Sequence, residues 1–579
     1  MARKPAQASA TVKATLFLAL AFSYQTPAQA QALDNRQLQR QQQREDALQR
    51  QLQPAPSPDS ASAPTATAPT RLPVAESPCA LVHRLKLSGP RAETLGWLIA
   101  SAAGPAHDDS PLHRCIGAAG IAVLQGRMQA ALVQAGYLTS RLLVGSQNLG
   151  DTGELTLTLV PGVLGQIRFA PENVVAQPPR RLTLGALPIS PGDMLRLPDI
   201  EQGLENLKRL PGVEADIGIV PINDQAAADT GGSDLLLHYR QGRPLRLDVG
   251  LDDGGTRATG RRQGTATVSW DNPLSLNDLL YLSLGRSLEQ RDSRGTRSAT
   301  LNYSVPWGYW MFGATASSNR YHQSVAGASQ SYVFSGVSEN AELSVKRVVW
   351  RSASARSTLG VRTWRRSSAA FIDDTEIEVQ RRVTALWELS ASHRQYLNDT
   401  VVDAGIALRQ GTGAYGALRA PEEAFGEGNS RMRITLTDLG FSQPLRAGAQ
   451  RLRLAGNWHA QWNQTPLTPQ DRIAIGSRYS VRGFDGESSL LAERGWFWRN
   501  DLGWSVAAGA EAYLGLDAGR VGGDSAAWLA GRSLAGGVLG VRGARSGVSY
   551  DVFFGKPLRK PASFRTASTT VGVNLSYGF

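Results

Sequence analysis

From Gly242 to the last residue, apolar and polar side chains exchange places at every second position, the period of a strand with two unlike faces. Leu245, Val249 and Leu251 alternate with Arg246, Asp248 and Asp252; Ala266, Val268 and Trp270 alternate with Thr265, Thr267 and Ser269; Leu280, Leu282 and Leu284 alternate with Tyr281, Ser283 and Gly285. Similar segments recur near 299–305, 309–318, 330–337, 342–350, 356–364, 380–392, 400–411, 431–443, 450–462, 495–505, 508–519, 533–542, 547–555 and 569–579. Together they make about 17 segments, and single-chain barrels of bacterial outer membranes take an even number, so 16 antiparallel strands are predicted. In hydrocarbon a sheet must close on itself to satisfy its backbone groups, so the strand count and closure belong together. The last segment shows the pattern most plainly: Val571, Val573, Leu575, Tyr577 and Phe579 alternate with Thr570, Gly572, Asn574, Ser576 and Gly578.

Before residue 242 the period changes. From Cys79 to about Pro161 the pattern is a short strand (Val82 to Leu87), helices, and two strands (Tyr137 to Val144 and Glu154 to Val160). Ile121, Leu124, Met128, Leu132 and Ala135 form one helical stripe that Gly136 stops. A second copy follows. Gly165 to Phe169 opens it, Leu197, Ile200, Leu204, Leu207 and Leu210 form its stripe, Pro198 starts the helix and Pro211-Gly212 ends it. Its closing strands are Val213 to Val220 and Asp234 to Tyr239. The predicted units are therefore two small α+β domains, 79–162 and 163–241, ahead of a barrel domain, 242–579.

The N-terminus sets the compartment. Arg3, Lys4 and Lys13 precede the apolar run Leu16 to Phe22, and Ala28-Gln29-Ala30 offers a small-residue cleavage site, so residues 1–30 read as a secretory signal peptide. Residues 31–53 are rich in Gln and Arg, with Leu38, Leu48 and Leu52 too sparse for a wide apolar face; they predict a helix without a core. The Pro, Ala, Ser and Thr of residues 54–78 read as a tether.

Composition narrows the function classes. Hydrophobic residues are 42% and charged residues 19%, too apolar for disorder, and no long apolar run predicts a helical membrane bundle. The 60 Gly, 13 Trp, 14 Tyr and 14 Phe suit a turn-rich β protein. A net charge of +12 would permit nucleic-acid binding but is a weak pointer beside an export signal, and no nucleic-acid partner is expected. Cys79 and Cys115, an even pair in an exported chain, most simply form one disulfide. The seven His show no HExxH spacing, no Ser/His/acid constellation is legible and no nucleotide-binding glycine loop appears, so no metal, no cofactor and no enzymatic activity are expected.

The chain resembles the TpsB transporters of the two-partner secretion pathway, the FhaC/ShlB/HecB-type hemolysin secretion/activation family within the BamA-like superfamily. The resemblance rests on GYLTSRLLVGSQNLGDTGELTLTLVPG (Gly136 to Gly162), IEQGLENLKRLPGV (Ile200 to Val213), WDNPLSLNDLLYLSLGRS (Trp270 to Ser287), RYSVRGFDGE (Arg478 to Glu487), ERGWFWRNDL (Glu493 to Leu502) and YLGLDAGRV (Tyr513 to Val521). It implies that the two α+β units are periplasmic POTRA domains, that the helix within 31–53 plugs the pore, and that the barrel sits in the outer membrane. The segment from about 463 to 494 resembles the family's loop six, folded back into the pore through Val481-Arg482-Gly483-Phe484. The implied barrel-wall partner of its arginine is Asp517, in Gly515-Leu516-Asp517. The C-terminal strand with Tyr577 and Phe579 resembles the signal read by the barrel assembly machinery.

By the same resemblance the client is a secreted TpsA-type exoprotein with an N-terminal secretion domain: an adhesin, a hemolysin or a contact-dependent inhibition toxin. Transport would need no ATP, and some relatives also activate a hemolysin. Arg141, Arg168, Lys208 and Arg209 are candidates for steering an acidic client segment, though solvated surface charge is the better reading of them. Outer-membrane lipid and lipopolysaccharide complete the expected partners. The competing readings are an outer-membrane assembly factor of the same superfamily, for which a single helix and Pro-rich tether ahead of two POTRA units is the less apt layout, and a passive porin, which lacks such units.

Overall fold

The computed structural model describes residues 71–170, 181–222, 231–289, 293–327 and 329–579. The expected signal peptide, the helix of 31–53 and the tether up to residue 70 lie outside the described residues.

The first domain has two sheets. Strand β1 (Ala80–Val82) pairs with β3 (Arg114–Ile116), and β2 (Arg84–Ser88), β4 (Arg141–Leu143) and β5 (Glu154–Val160) form a three-stranded sheet in the order β2-β5-β4. The single strand expected over 82–87 is thus two. His83 and Arg84 both donate their backbone N–H to the Gly153 carbonyl, and that bend sends the chain from one sheet to the other. Cys79, just before β1, and Cys115, in the middle of β3, are joined by a disulfide with Cα atoms 5.3 Å apart. Helix α1 (Ala118–Gln134) lays Leu124, Met128 and Leu132 against Leu155, Leu157 and Leu159 of β5. The end of the tether is part of this domain: the Glu76 carboxylate accepts from Gly117 N–H at 2.7 Å and Gly120 N–H at 3.0 Å, capping α1.

The second domain repeats this plan. Strands β6 (Leu164–Phe169), β7 (Val213–Pro221) and β8 (Ser233–Gln241) run in the order β6-β8-β7, one parallel and one antiparallel pair as in the first, with helix α2 (Leu197–Lys208) on one face. Its core does not end at its own boundary. Leu207, Leu210, Val213 and Leu237 share one buried cluster with Leu279 and Tyr281, which belong to the barrel.

The barrel is a closed antiparallel meander of 16 strands, from Leu245–Asp252 to Thr570–Gly578, with a two-residue strand at Thr375–Glu376 as an outlying addition. The separate segments near 330–337 and 342–350 are one strand, Ser331–Ser352. The polar Ser338-Glu339-Asn340 between them read as a break, but each remains paired on both sides. Alternation is realised along the wall: Leu282, Leu284, Leu301, Val571, Val573 and Leu575 are exposed on the outer face, while Ser283, Thr300, Asn302 and Thr570 are buried on the inner one. The last strand meets the first from Asn574↔Asp252 to Gly578↔Asp248, and Phe579 N–H donates to the Leu247 carbonyl at 2.9 Å. Tyr577 and Phe579 stack edge to face on the exposed side of this seam, ring centroids 4.4 Å apart.

Candidate functional site

The segment between the strands Gln450–Asn463 and Arg494–Ala507 does not extend away from the barrel. A short hairpin, Ile473–Ile475 with Leu490–Ala492, turns it inward, and the tip carries Val481-Arg482-Gly483-Phe484 against the wall. Val481 and Phe484 are buried in an apolar cluster with Ile473, Ile475, Leu490, Val521, Leu534 and Phe564. Phe484 meets Phe564 edge to face at 5.8 Å. This apolar packing on either side of Arg482 helps to hold the charged tip in place.

Arg482 is 3% exposed at its side chain and Asp517 0%. Asp517 Oδ2 accepts from the Arg482 backbone N–H at 2.9 Å and from Nε at 2.7 Å, and Oδ1 accepts from Nη2 at 2.8 Å. The carboxylate thus grips both the side chain and the main chain of one residue, a geometry that lysine cannot reproduce. Nη2 also donates to Asp501 at 2.5 Å. Asp501 accepts in turn from Arg542 at 2.9 Å, Arg542 and Arg453 converge on Glu511, and the Tyr513 ring lies below both Arg482 and Arg542, at 5.9 and 4.4 Å.

Glycines make the close approach possible. Gly483 has φ +93°, where a side chain is strained, and its Cα lies against Gly555. A Cβ on Gly515 would stand 2.6 Å from Arg482 Nη2, and one on Gly536 would stand 1.9 Å from the Arg482 carbonyl oxygen. The tip is tied on its other sides as well. Arg478 pairs with Asp253 of the first extracellular loop, Glu487 accepts from Arg257 N–H at 3.0 Å, and Asp485 accepts from Ala567 N–H at 3.0 Å.

The structure therefore brings Arg482 and Asp517 together. Asp501, Glu511, Tyr513 and Arg542 were not singled out from sequence, although Asp501 and Tyr513 stand inside the quoted segments ERGWFWRNDL and YLGLDAGRV. A carboxylate two residues from Arg499 on the polar face of a strand was the available signal.

A second charged cluster joins the second domain to the periplasmic turns of the barrel. Asn206 on α2 donates to the Gly308 carbonyl at 2.7 Å, and Tyr309 donates to Asp199. Arg351 pairs with Glu205 at 2.7 Å and with Glu201 at 3.5 Å, and Arg356 pairs with Glu205. Burial pushes the Asp199 and Glu201 carboxyls up, against the pull of Tyr309 and Arg351 respectively. Arg209 belongs here too: it donates to the Asn277 carbonyl and to Ser304 Oγ, both at 2.6 Å, and burial brings its guanidinium down to about 10. It is an interface residue rather than a steering charge on the surface. Arg168 pairs with Asp234 at 2.5 Å but keeps 54% of its side chain exposed, as the reading of it as solvated surface charge expects.

A closed sixteen-strand barrel, two α+β domains on its periplasmic side and a loop lodged inside define a transporter of the outer membrane. Comparison with known proteins agrees and is more specific. The family model described as haemolysin secretion/activation protein ShlB/FhaC/HecB matches residues 231–543, a ShlB-type POTRA domain matches 108–162 and a further POTRA domain matches 163–221. The outer membrane transporter CdiB-2 of Burkholderia pseudomallei (strain 1026b) is 36% identical over 472 residues, 80% of this chain and 79% of the relative. The hemolysin transporter protein ShlB of Serratia marcescens is 29% identical over 412 residues, 70% and 71% of the two chains. Among solved structures, CdiB from Acinetobacter baumannii superposes with a TM-score of 0.82 at 28% identity, covering 94% of this chain and 98% of its own. The chain belongs to the ShlB/FhaC/HecB family: it is a TpsB transporter of two-partner secretion, set in the outer membrane with its POTRA domains in the periplasm.

Proposed function

We propose that this transporter takes an unfolded exoprotein of the adhesin, hemolysin or contact-dependent inhibition toxin type from the periplasm and passes it through the barrel to the cell surface, without ATP. The observation that carries this reading is the loop held inside the barrel by Arg482 and Asp517, a resting closure that must be reset for a polypeptide to pass. Folding of the client outside supplies the direction, because each added repeat of a β-helix buries surface against the one before. Conformational activation of a hemolysin is a further ability compatible with the same route.

Capture is by strand addition, and the two POTRA domains are unequal in what they offer. In the first, the outward N–H and C=O of Leu142 on edge strand β4 are already taken by Gln129 Oε1 at 2.9 Å and Gln125 Nε2 at 2.7 Å. The Gln147 amide does the same for Thr156 of β5, at 2.8 and 3.0 Å. In the second, β7 is an edge of nine residues with no described segment beside it. A photo-crosslinking residue at Gly218 on β7 is expected to trap a stalled exoprotein more strongly than one at Leu143 on β4. Equal or reversed trapping would remove β7 as the docking edge.

The helix of 31–53 acts as a plug on its long tether. Its deletion is expected to raise single-channel conductance in lipid bilayers, and unchanged conductance would remove that role. The barrel assembly machinery reads the terminal strand ending in Tyr577 and Phe579 during biogenesis.

A further inference from the structure

Three arginines stand in a row on the outer wall of the barrel. Strand register places Arg286 directly beside Arg297, and Arg297 directly beside Arg320. All three are exposed, and they share the outward face with Leu284, Leu301 and Ala316. Like charges directly opposite one another on a sheet repel. Among the described residues no acidic side chain forms an ion pair with any of the three; Glu339, two positions further along the neighbouring strand than Val337, the register partner of Arg320, makes none with it. Three fixed cations in a row with no counter-charge among the described residues call for an external anion.

The height of the row says which anion. On the strand Arg294–Trp307, Arg297 and Trp307 are both exposed and lie ten residues apart. On the next strand Arg320 and Trp310 are again ten apart, and Trp307 pairs with Trp310 at the periplasmic turn. Ten residues at about 3.4 Å, tilted by about 40°, span roughly 26 Å along the membrane normal, the height of the apolar band of an outer-membrane barrel. The outward residues between are Ala299, Leu301, Tyr303 and Val305 on one strand and Phe312, Ala314, Ala316 and Ser318 on the other. The tryptophans mark the periplasmic edge of the hydrocarbon, and the arginines stand at the opposite edge, at the level of the outer-leaflet headgroups.

We infer that Arg286, Arg297 and Arg320 form a binding surface for the phosphate groups of a phosphorylated glycolipid in the outer leaflet. Guanidinium forks match phosphate oxygens in pairs, and three forks on adjacent strands, about 5 Å apart, suit one bisphosphorylated headgroup held against the wall. The surface rests on the outer-membrane setting of the barrel, not on the proposed capture of a client. Its site is the quarter of the barrel nearest the first strands, where a bound headgroup would also brace the short strands Gln263–Asp271 and Leu279–Ser287.

The test uses the full-length folded protein in detergent and purified lipid A as probe, with both phosphates or after their enzymatic removal, read by native mass spectrometry. The wild type is expected to prefer the phosphorylated form by about tenfold or more, as charge-assisted contacts do. The preference should disappear in Arg286→Gln/Arg297→Gln/Arg320→Gln. It should persist in the corresponding triple Lys variant, and in Arg446→Gln/Arg451→Gln at the periplasmic end. Heat-modifiable gel migration shows whether each variant is folded, and the phosphorylated-against-dephosphorylated comparison on the wild type needs no variant. Equal binding of the two lipids by the wild type, or an undiminished preference in the triple Gln variant, would overturn the assignment. Displacement of the lipid by millimolar inorganic phosphate would overturn it as well, by reducing the row to a site for free anions.

Discussion

Two of the arginine–carboxylate joints in this molecule, one in the lumen and one at the periplasmic rim, are built differently. In the lumen, Arg482 and Asp517 are almost wholly removed from solvent, and the carboxylate grips one residue three times within a slot of glycines. At the periplasmic rim, Arg351, Arg356 and Glu205 keep between 15% and 25% of their side chains exposed, and the joint is shared with Asn206, Tyr309, Arg209 and the apolar pair Leu279 and Tyr281. A buried pair that loses one member leaves an uncompensated charge, so the lumen joint behaves as a latch that is either made or broken. A distributed, partly exposed joint loses strength by degrees. On the proposed transport reading, the loop is the part that switches and the second POTRA domain the part that stays.

The largest effect expected from this difference is that of Asp517→Ala. It removes three of the hydrogen bonds that hold Arg482 and leaves the buried guanidinium with Asp501 alone, which should cost about 3 kcal/mol of loop anchoring. Hydrogen exchange across residues 478–487 should then rise toward that of a free loop, while the barrel still migrates as a folded species. Gly536→Ala should act in the same direction by a different cause, since its methyl would occupy the place of the Arg482 carbonyl; overpacking of this kind costs about 1 to 3 kcal/mol. Rapid exchange there with Asp517 intact would tie the latch to shape as well as charge.

Glu205→Ala at the rim is expected to cost less, about 1 to 2 kcal/mol: Arg356 loses its acidic partner but keeps 22% of its side chain in water, Arg351 retains Gln202 and Glu201, and the apolar core is untouched. Limited proteolysis between the second domain and the barrel should change little. Extensive cleavage there would erase the contrast between latch and joint.

The smallest effect concerns pH. Asp109 in the first domain is held down to about 2, first by the Leu72 N–H and further by Arg127 and Arg114, despite the opposing cost of burial. Its folded pKa is below the ordinary 3.8, so the stability it contributes is present above about pH 4 and is lost as pH falls toward 2. Acid should loosen the first domain, and Asp109→Asn should flatten that dependence in a thermal melt.

Much of this architecture was legible because it is periodic. Alternation gave the barrel and its final strand, and helical stripes ended by Gly136 and Pro211 gave the two α+β units. Where polar residues interrupted a pattern the reading failed: Ser338-Glu339-Asn340 looked like a turn but continues one strand, because pairing on both sides satisfies the backbone whatever the side chains. Arg209 looked like surface charge because a sequence does not say which helix end will meet another domain. Arg482 and Asp517 were found through their motifs. Asp501 and Arg542 were not, since alternation fixes the face of a residue but not which charge across the lumen it will reach.

The most direct test of the latch is secretion of the cognate exoprotein by cells carrying the wild type, Arg482→Ala or Asp517→Ala, with barrel insertion checked by heat-modifiable migration. Loss of secretion by both variants with a normally inserted barrel is the predicted result. Normal secretion by both would contradict it and remove the pair from the transport mechanism.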